Sequence, residues 1–371
     1  MKILVTGGAG DMGSKTVEDL ALKEDVELIT VADRNLAAAQ QLASRLEGSP
    51  ARVVAVAVDA ADHKGLVEVM QGQDVVASAL GPFFLFETRL VKAALEAGVD
   101  YISICDDWSA AQDTIIRFDG PARSKGRKVI TGCGVSPGMS NVAVRYLADK
   151  LDHARRADIN VYMPIESGEG EAVTQHTLFI FGTVVPVFRD GATIMLPAGS
   201  VRRTVEFPRF GRLKVWNIGH GEPVTVPRHL PELEEVNIML GLGTGSEVFV
   251  ALGRLGVFSS PRRIERMAKL ALKLPLPHSN LPVEGALRID VSGEKDSKPV
   301  TLTVCGTGTM RDATGIALSI GARLLAAGKL TIKEGGVYGP EGCFDPADFL
   351  GMMADSGIRA YTDLEMTEPV N

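Results

Sequence analysis

The residues with the clearest chemical potential stand near the amino end. Gly7-Gly8-Ala9-Gly10-Asp11-Met12-Gly13 follows directly on the apolar run Ile3-Leu4-Val5, and Gly8, Gly10 and Gly13 fall in G-x-G-x-x-G register. Asp33 lies 20 residues beyond Gly13 (33 − 13 = 20), at the end of the next apolar run. A strand before the glycines, a helix after them and an acid at that distance form the dinucleotide fingerprint. Gly8 permits the tight turn out of the strand. Gly10 leaves the backbone bare for a pyrophosphate, and Gly13 lets the helix pack close to the sheet. The amides of the helix start, from Asp11 and Met12 onward, then hold negative phosphates. The implied cofactor is a nicotinamide dinucleotide. Asp33 is expected to accept from the adenosine ribose hydroxyls and to repel a 2′-phosphate, which favours NAD. Arg34 follows it and could stack on adenine or hold that phosphate, so NADP stays open.

Two further segments belong with this loop. Asp59 ends the third apolar run and either approaches the adenine or closes a turn or helix cap. Ala79-Leu80-Gly81-Pro82 ends the fourth run, where the strand's C-terminal end faces a cofactor in this topology; a plain turn is the competing reading.

Positioning these residues requires a particular scaffold. Strands at Lys2–Thr6, Val26–Ala32, Val53–Val58, Asp74–Ala79, Tyr101–Cys105 and Lys128–Thr131 alternate with helices at Met12–Lys23, Leu36–Leu46, Lys64–Met70 and Glu87–Ala97. Strands separated by helices mean crossover units and a parallel sheet. Their near-continuous Val, Ile and Ala content suits burial on both faces. After about residue 150 the pattern shifts to short runs between Gly- and Pro-rich turns: Ala157–Met163, Leu213–Ile218 and Glu235–Met239. Ala286–Val291 and Thr301–Cys305 flank a polar stretch and read as a hairpin. Helices return at Ala313–Ala327 and Ala347–Ala354. The fold class is therefore α/β: a Rossmann doubly wound parallel sheet plus a second α+β domain with a mixed open sheet. The expected domains are 1–140 for the dinucleotide, 141–310 for substrate binding and dimerisation, and 311–371 as C-terminal helices packing back on the first.

The chain resembles the saccharopine dehydrogenase-like superfamily, which includes saccharopine reductases, lysine 6-dehydrogenases and carboxynorspermidine synthases. The resemblance spans nearly the whole chain. It rests on the glycine loop, on Leu80-Gly81-Pro82-Phe83 and on Gly98-Val99-Asp100-Tyr101-Ile102-Ser103. Gly132-Cys133-Gly134-Val135-Ser136-Pro137-Gly138-Met139-Ser140-Asn141 looks like the family's turn into the second domain, and Ala313-Thr314-Gly315-Ile316-Ala317 and Leu325-Ala326-Ala327-Gly328-Lys329 also fit. The resemblance implies an NAD(P)-dependent oxidoreductase acting on a C–N bond of an amino acid or amine, with hydride transfer through an imine. It further implies a small-molecule substrate and a homodimer. The chain departs from the better-known members at Cys105-Asp106-Asp107-Trp108 and around His176 and Gly219-His220-Gly221-Glu222-Pro223.

Amine oxidation needs a base for the ammonium proton and a carboxylate near the cationic imine. Asp106 and Asp107 end the fifth strand, and one of them either faces the cleft or caps the helix that begins near Ser109. His176 is a candidate acid or base, with a structural histidine as the alternative. His220 sits between glycines, which suits close approach to a ligand. Arg228 and His229 could bind an anionic group or lie in a surface loop. Ser140 and Asn141 read as a helix cap. Leu178-Phe179-Ile180-Phe181 reads as core, and Arg262, Arg263, Arg266 and Lys269 as a solvated helix face.

Composition narrows the partners. The 371 residues carry a formal charge of −7 and only 5% aromatics, which disfavours nucleic acid. Cys105, Cys133, Cys305 and Cys343 show no zinc-like spacing, and buried inert thiols are expected, with no metal. No apolar run reaches the length of a membrane span. With the strand beginning at residue 2, no signal peptide is expected and the location is read as cytoplasmic. Two other functions stay open: a dehydrogenase of a hydroxyl or aldehyde substrate, and a dinucleotide-binding sensor without turnover.

Overall fold

The computed structural model describes residues 1–164, 171–182, 184–243, 246–258, 260–271 and 283–370. Two compact units emerge: residues 1–139 with 311–356, and residues 140–310 with 357–371.

In the first unit, β1 (Lys2–Thr6), α1 (Asp11–Ala21), β2 (Leu28–Asp33), α2 (Leu36–Arg45), β3 (Arg52–Ala57) and α3 (His63–Met70) lead to β4 (Val75–Ser78). Next come α4 (Phe83–Ala97), β5 (Asp100–Ser103), α5 (Trp108–Ser124) and β6 (Lys128–Ile130). Local residues start the helices: Asn35 caps α2 through the Ala38 amide, and Asp62 caps α3 through Gly65. Gly98, in the left-handed region, ends α4. β1 pairs in parallel with both β2 and β4, so the strand order reverses there. That switch point lies beside the glycine loop, where open α/β sheets bind ligands. Ile3, Leu4 and Val5 are fully buried, as a strand covered on both faces requires.

The second unit carries α6 (Met139–Ala148), β7 (His153–Tyr162), α7 (Glu171–Ile180), β8 (Val184–Arg189), β9 (Ala192–Pro197), β10 (Arg202–Phe207) and β11 (Gly211–Asn217). α8 (Glu222–His229), β12 (Glu235–Gly241), α9 (Ser246–Arg254), α10 (Pro261–Ala271), β13 (Glu284–Lys295) and β14 (Lys298–Thr309) follow. The sheet order is β10-β11-β12-β7-β13-β14, with the β8–β9 hairpin attached at β12. β7 and β12 run parallel while the other pairs are antiparallel, so the sheet is mixed as expected. The expected hairpin is β13–β14, in which Arg288 faces Cys305.

Helices α7 to α10 correct the expectation of turns rather than helices in this region. Pro223 sits in the first turn of α8, where the missing amide costs nothing. The segment with Arg228 and His229 is thus the last turn of a helix, not a surface loop. Leu178 packs with Phe258, Ile264 and Ala268, so that apolar run is core. Arg262, Arg263 and Arg266 are exposed on α10.

The chain then returns to the first unit through α11 (Met310–Ala326), β15 (Gly336–Tyr338) and α12 (Pro346–Asp355). β15 joins the parallel sheet beside β6, completing the order β15-β6-β5-β4-β1-β2-β3. α11 lies against α1: a Cβ on Gly315 would come within 2.6 Å of the Lys15 Cβ. Arg311 bonds Glu18 at 2.9 Å, and Ser319 Oγ donates to Asp19 at 2.6 Å. Residues 357–371, grouped above with these helices, cluster instead in the second unit, where Tyr361 and Cys305 exchange backbone bonds.

Candidate functional site

The glycine loop is held from two sides. The Gly7 amide donates to Ala32 O at 2.9 Å, and Asp33 Oδ2 accepts from the Ala9 amide at 3.1 Å. Gly7 has a φ of +68°, and a Cβ there would lie 2.9 Å from the Leu80 Cα. The loop therefore touches Ala79 and Leu80, and the candidate cofactor residues after β1 and β4 converge. Gly13 and Gly8 are demanded by the fold. A Cβ on Gly13 would stand 2.1 Å from Gly7 O, and one on Gly8 would stand 2.9 Å from Val31 Cγ1 and from Val5 O. Gly10 differs: a Cβ there meets only Gly7 O, at 3.2 Å, and the residue is exposed with φ −74°. A side chain at Gly10 would meet a tight contact but not the outright clash found at Gly13 and Gly8, and it would project from an exposed position at the start of α1. α1 also starts with no side-chain cap, so its first-turn amides face outward with the positive end of the helix dipole. This cradle fits a diphosphate.

The remaining candidates of this unit are placed as follows. Asp33 Oδ1 also accepts from the Asn35 amide at 2.9 Å, which fixes the carboxylate at the end of β2. Arg34 is exposed beside it. The Asp11 carboxylate pairs with Arg311 at 3.2 Å, and Met12 is half-buried. Asp59 accepts from the Ala61 amide at 2.9 Å, a local turn bond. Gly81–Pro82 is a cis peptide that leads into α4.

Asp107 occupies the N-cap position of α5 but makes no side-chain cap there. Its Oδ2 instead accepts from the Phe84 amide at 2.9 Å, in the first turn of α4. Asp106 is half-buried next to it.

Below these strand ends lies a residue that no motif marked. Glu87, on α4, is completely buried. It accepts from Ser103 Oγ at 2.6 Å, Tyr101 Oη at 2.8 Å and Thr131 Oγ1 at 3.3 Å. Burial pushes its carboxyl up to about 7, against the pull of those three hydroxyls, and Asp107 adds to the rise. The Cys105, Cys133 and Cys343 thiols are pushed up by burial, Cys305 to about 11, so none is poised as a thiolate.

In the second unit the two candidate histidines meet. The His176 and His220 rings lie edge to face with centroids 5.7 Å apart. His220 is buried, and its Nδ1 lies 2.7 Å from Glu222 Oε2. The other Glu222 oxygen accepts from Ser140 Oγ at 3.0 Å. Asn141 Nδ2 donates to Thr225 Oγ1 at 3.0 Å, tying α6 to α8 a second time. A carboxylate can only accept here, so Nδ1 carries the proton and Nε2 of the neutral ring is left as a base. Ser140, read above with Asn141 as a cap, anchors Glu222 of this pair, and Asn141 holds Thr225 on the same helix. The sequence signal for Glu222 was its place two residues after a histidine flanked by glycines.

Residues 3–128 match the family described as the saccharopine dehydrogenase NADP binding domain. This stretch is similar to that family. With it comes the cofactor class, a nicotinamide dinucleotide. A curated relative, carboxyaminopropylagmatine dehydrogenase of Synechocystis sp., is 24% identical and covers 96% of this chain and 96% of its own. A lipid droplet localized protein of Caenorhabditis elegans is 25% identical over 59% of this chain and 54% of its own. Among solved structures, saccharopine dehydrogenase (L-Glu forming) of Saccharomyces cerevisiae superposes with a TM-score of 0.65 at 17% identity, covering 96% of this chain and 98% of that one. The saccharopine dehydrogenase-like resemblance read from the residues is borne out, and so is the fold class. Among the described residues no helix is long and apolar enough to cross a membrane.

Proposed function

We propose that the chain is an NAD(P)-dependent dehydrogenase that acts on a C–N bond of an amino acid or amine. The observation that carries this is the glycine cradle, in which exposed Gly10 leaves bare backbone beside the uncapped first-turn amides of α1. The reaction class is supported by the full-length relative, whose name describes a dehydrogenase of an agmatine derivative, itself an amine.

A bound dinucleotide supplies the hydride acceptor or donor. The chain's own residues supply the rest. For an amine to lose hydride from carbon, its ammonium must first shed a proton to give the free amine; hydride loss to the nucleotide then leaves a protonated, cationic imine. His220 Nε2 is the proposed acceptor of that proton, held in the base tautomer by Glu222. His176 is the second proton-handling candidate. Asp107 is committed to the Phe84 amide, so Asp106 is the aspartate proposed to offset the imine's charge. The proposed cofactor residues are Gly8, Gly10, Asp11, Met12, Gly13, Asp33, Arg34, Asp59, Ala79, Leu80, Gly81 and Pro82. NAD is proposed ahead of NADP, because the fixed Asp33 carboxylate repels a 2′-phosphate. A small-molecule amine, a homodimer and a cytoplasmic setting complete the reading.

Reduced-cofactor formation, followed by absorbance with NAD and NADP against lysine, other amino acids and polyamines at alkaline pH, tests the reaction class. Turnover with one amine is expected. Turnover with alcohols alone would replace this reading with a hydroxyl dehydrogenase, and tight binding without turnover would make the chain a sensor. Gly10→Val tests the cradle: it is expected to leave the melting temperature within a few degrees while dinucleotide affinity falls at least about tenfold.

A further inference from the structure

Glu87 is not used by the chemistry above, yet its surroundings are built. Three strand-end hydroxyls converge on one carboxyl: Tyr101 and Ser103 from β5, and Thr131 directly after β6. Ser103 is itself tied into the edge, since its carbonyl accepts from the Cys133 amide at 2.6 Å and its Oγ lies 3.4 Å from the Cys105 amide. The C-terminal ends of these strands are where this topology places a dinucleotide. The groups facing Glu87 are few. Tyr101 and Cys105 are neutral, and Asp107 is the charged neighbour. The buried residues of α3 and α5, the helices packed against α4, are apolar apart from Thr114. No cation balances the carboxylate among these neighbours.

We propose that Glu87 is a positioning residue for the dinucleotide: through Ser103 and Thr131 it sets the ends of β5 and β6, and its negative charge favours the cationic, oxidised nicotinamide over the neutral, reduced one. This rests on the dinucleotide reading above. A positive ring brought near a buried carboxyl stabilises its ionised form, so binding the oxidised nucleotide releases a proton from Glu87 to solvent. The reduced ring has no such effect. The carboxyl's position near neutrality places this coupling in the range where it is measurable.

The test is equilibrium binding, read by tryptophan fluorescence or calorimetry, of oxidised and reduced nucleotide to the full chain between about pH 6 and about pH 8.5. Affinity for the oxidised form is expected to rise about tenfold with pH, and affinity for the reduced form to change by less than about twofold. Glu87→Gln, which keeps the shape of the side chain, is expected to flatten the oxidised curve. Ser103→Ala removes a bond that favours the carboxylate and is expected to move the break to higher pH, a shift that loss of packing alone would not cause. A wild-type curve without a break, or a Glu87→Gln curve that keeps it, overturns the proposal and leaves the function standing. Binding of neither nucleotide at millimolar concentration overturns both.

Discussion

Glu87 and Glu222, one in each unit, are completely buried, and their partners differ in kind. Glu222 accepts from an imidazole and a hydroxyl. Glu87 accepts from three hydroxyls and has an aspartate nearby. Taking a carboxylate out of water costs several kcal/mol unless charge or hydrogen bonds offset it. An imidazole donates its Nδ1–H to the carboxylate, and once its other nitrogen takes up a proton the carboxylate offsets the charge. Hydroxyls supply only dipoles, so Glu87 holds its proton up to neutral pH. The first arrangement suits catalysis on a substrate, and the second suits sensing of charge nearby.

The comparison predicts its largest effect at Glu222. Glu222→Ala deletes the acceptor of two buried donors, and unfolding stability is expected to fall by about 3–5 kcal/mol in denaturant titrations. Glu222→Gln keeps the side chain's volume but loses the negative charge and one of the two accepting oxygens, which weakens its hold on the base tautomer of His220. It is expected to lower kcat for amine oxidation by about a hundredfold with dinucleotide affinity unchanged. Equal losses of kcat and nucleotide affinity in Glu222→Gln would break the contrast, since the effect would then be structural.

At Glu87 the expected effect is smaller and depends on pH. Its folded value, about 7, lies above the ordinary glutamate value of 4.5, so the native state binds the proton more tightly than the unfolded chain. Its contribution to stability is complete below about pH 4.5 and is lost as pH rises through about 7. A shift of that size corresponds to about 3 kcal/mol. The stability gap between wild type and Glu87→Gln should therefore move by that amount in favour of the variant from about pH 4.5 to about pH 8. Urea unfolding at the two pH values checks it, and a constant gap would mean that Glu87 stays ionised throughout.

How far these sites were legible follows from the same physics. The glycine loop and Asp33 could be read because their demands are local: a turn, a bare backbone and a helix start lie within a few residues, and the strand–helix alternation surrounds them. Glu87 could not. It lies in α4 in Phe86-Glu87-Thr88-Arg89, which looks like any solvated turn of helix, and the hydroxyls of Tyr101, Ser103 and Thr131 that it accepts from are brought to it by the fold. Asp107 was visible as a cap, but its bond goes to the Phe84 amide, 23 residues back. The helix α8 was hidden because Pro223 and Pro227 read as turn residues, although proline in a first turn is compatible with a helix. His176 and His220 were each visible as reactive types. Their meeting depends on how α7 and the segment before α8 come together in the fold, which no spacing records.

The smallest effects should rank the three hydroxyls around Glu87. Ser103 Oγ lies at 2.6 Å and Thr131 Oγ1 at 3.3 Å, so the first bond is short and the second near the limit of a hydrogen bond. A hydrogen bond to a charged acceptor contributes about 1.5–3 kcal/mol, and one to a neutral acceptor about 1. Ser103→Ala should therefore destabilise the chain more than Thr131→Val, and its cost should grow above about pH 7, where the acceptor is ionised. Thr131→Val should cost less than about 1 kcal/mol at either pH, because a long bond gains little from the added charge. If the two substitutions cost the same and neither cost varies with pH, the hydroxyls merely fill space, and Glu87 is no more sensitive to charge than the aliphatic residues around it.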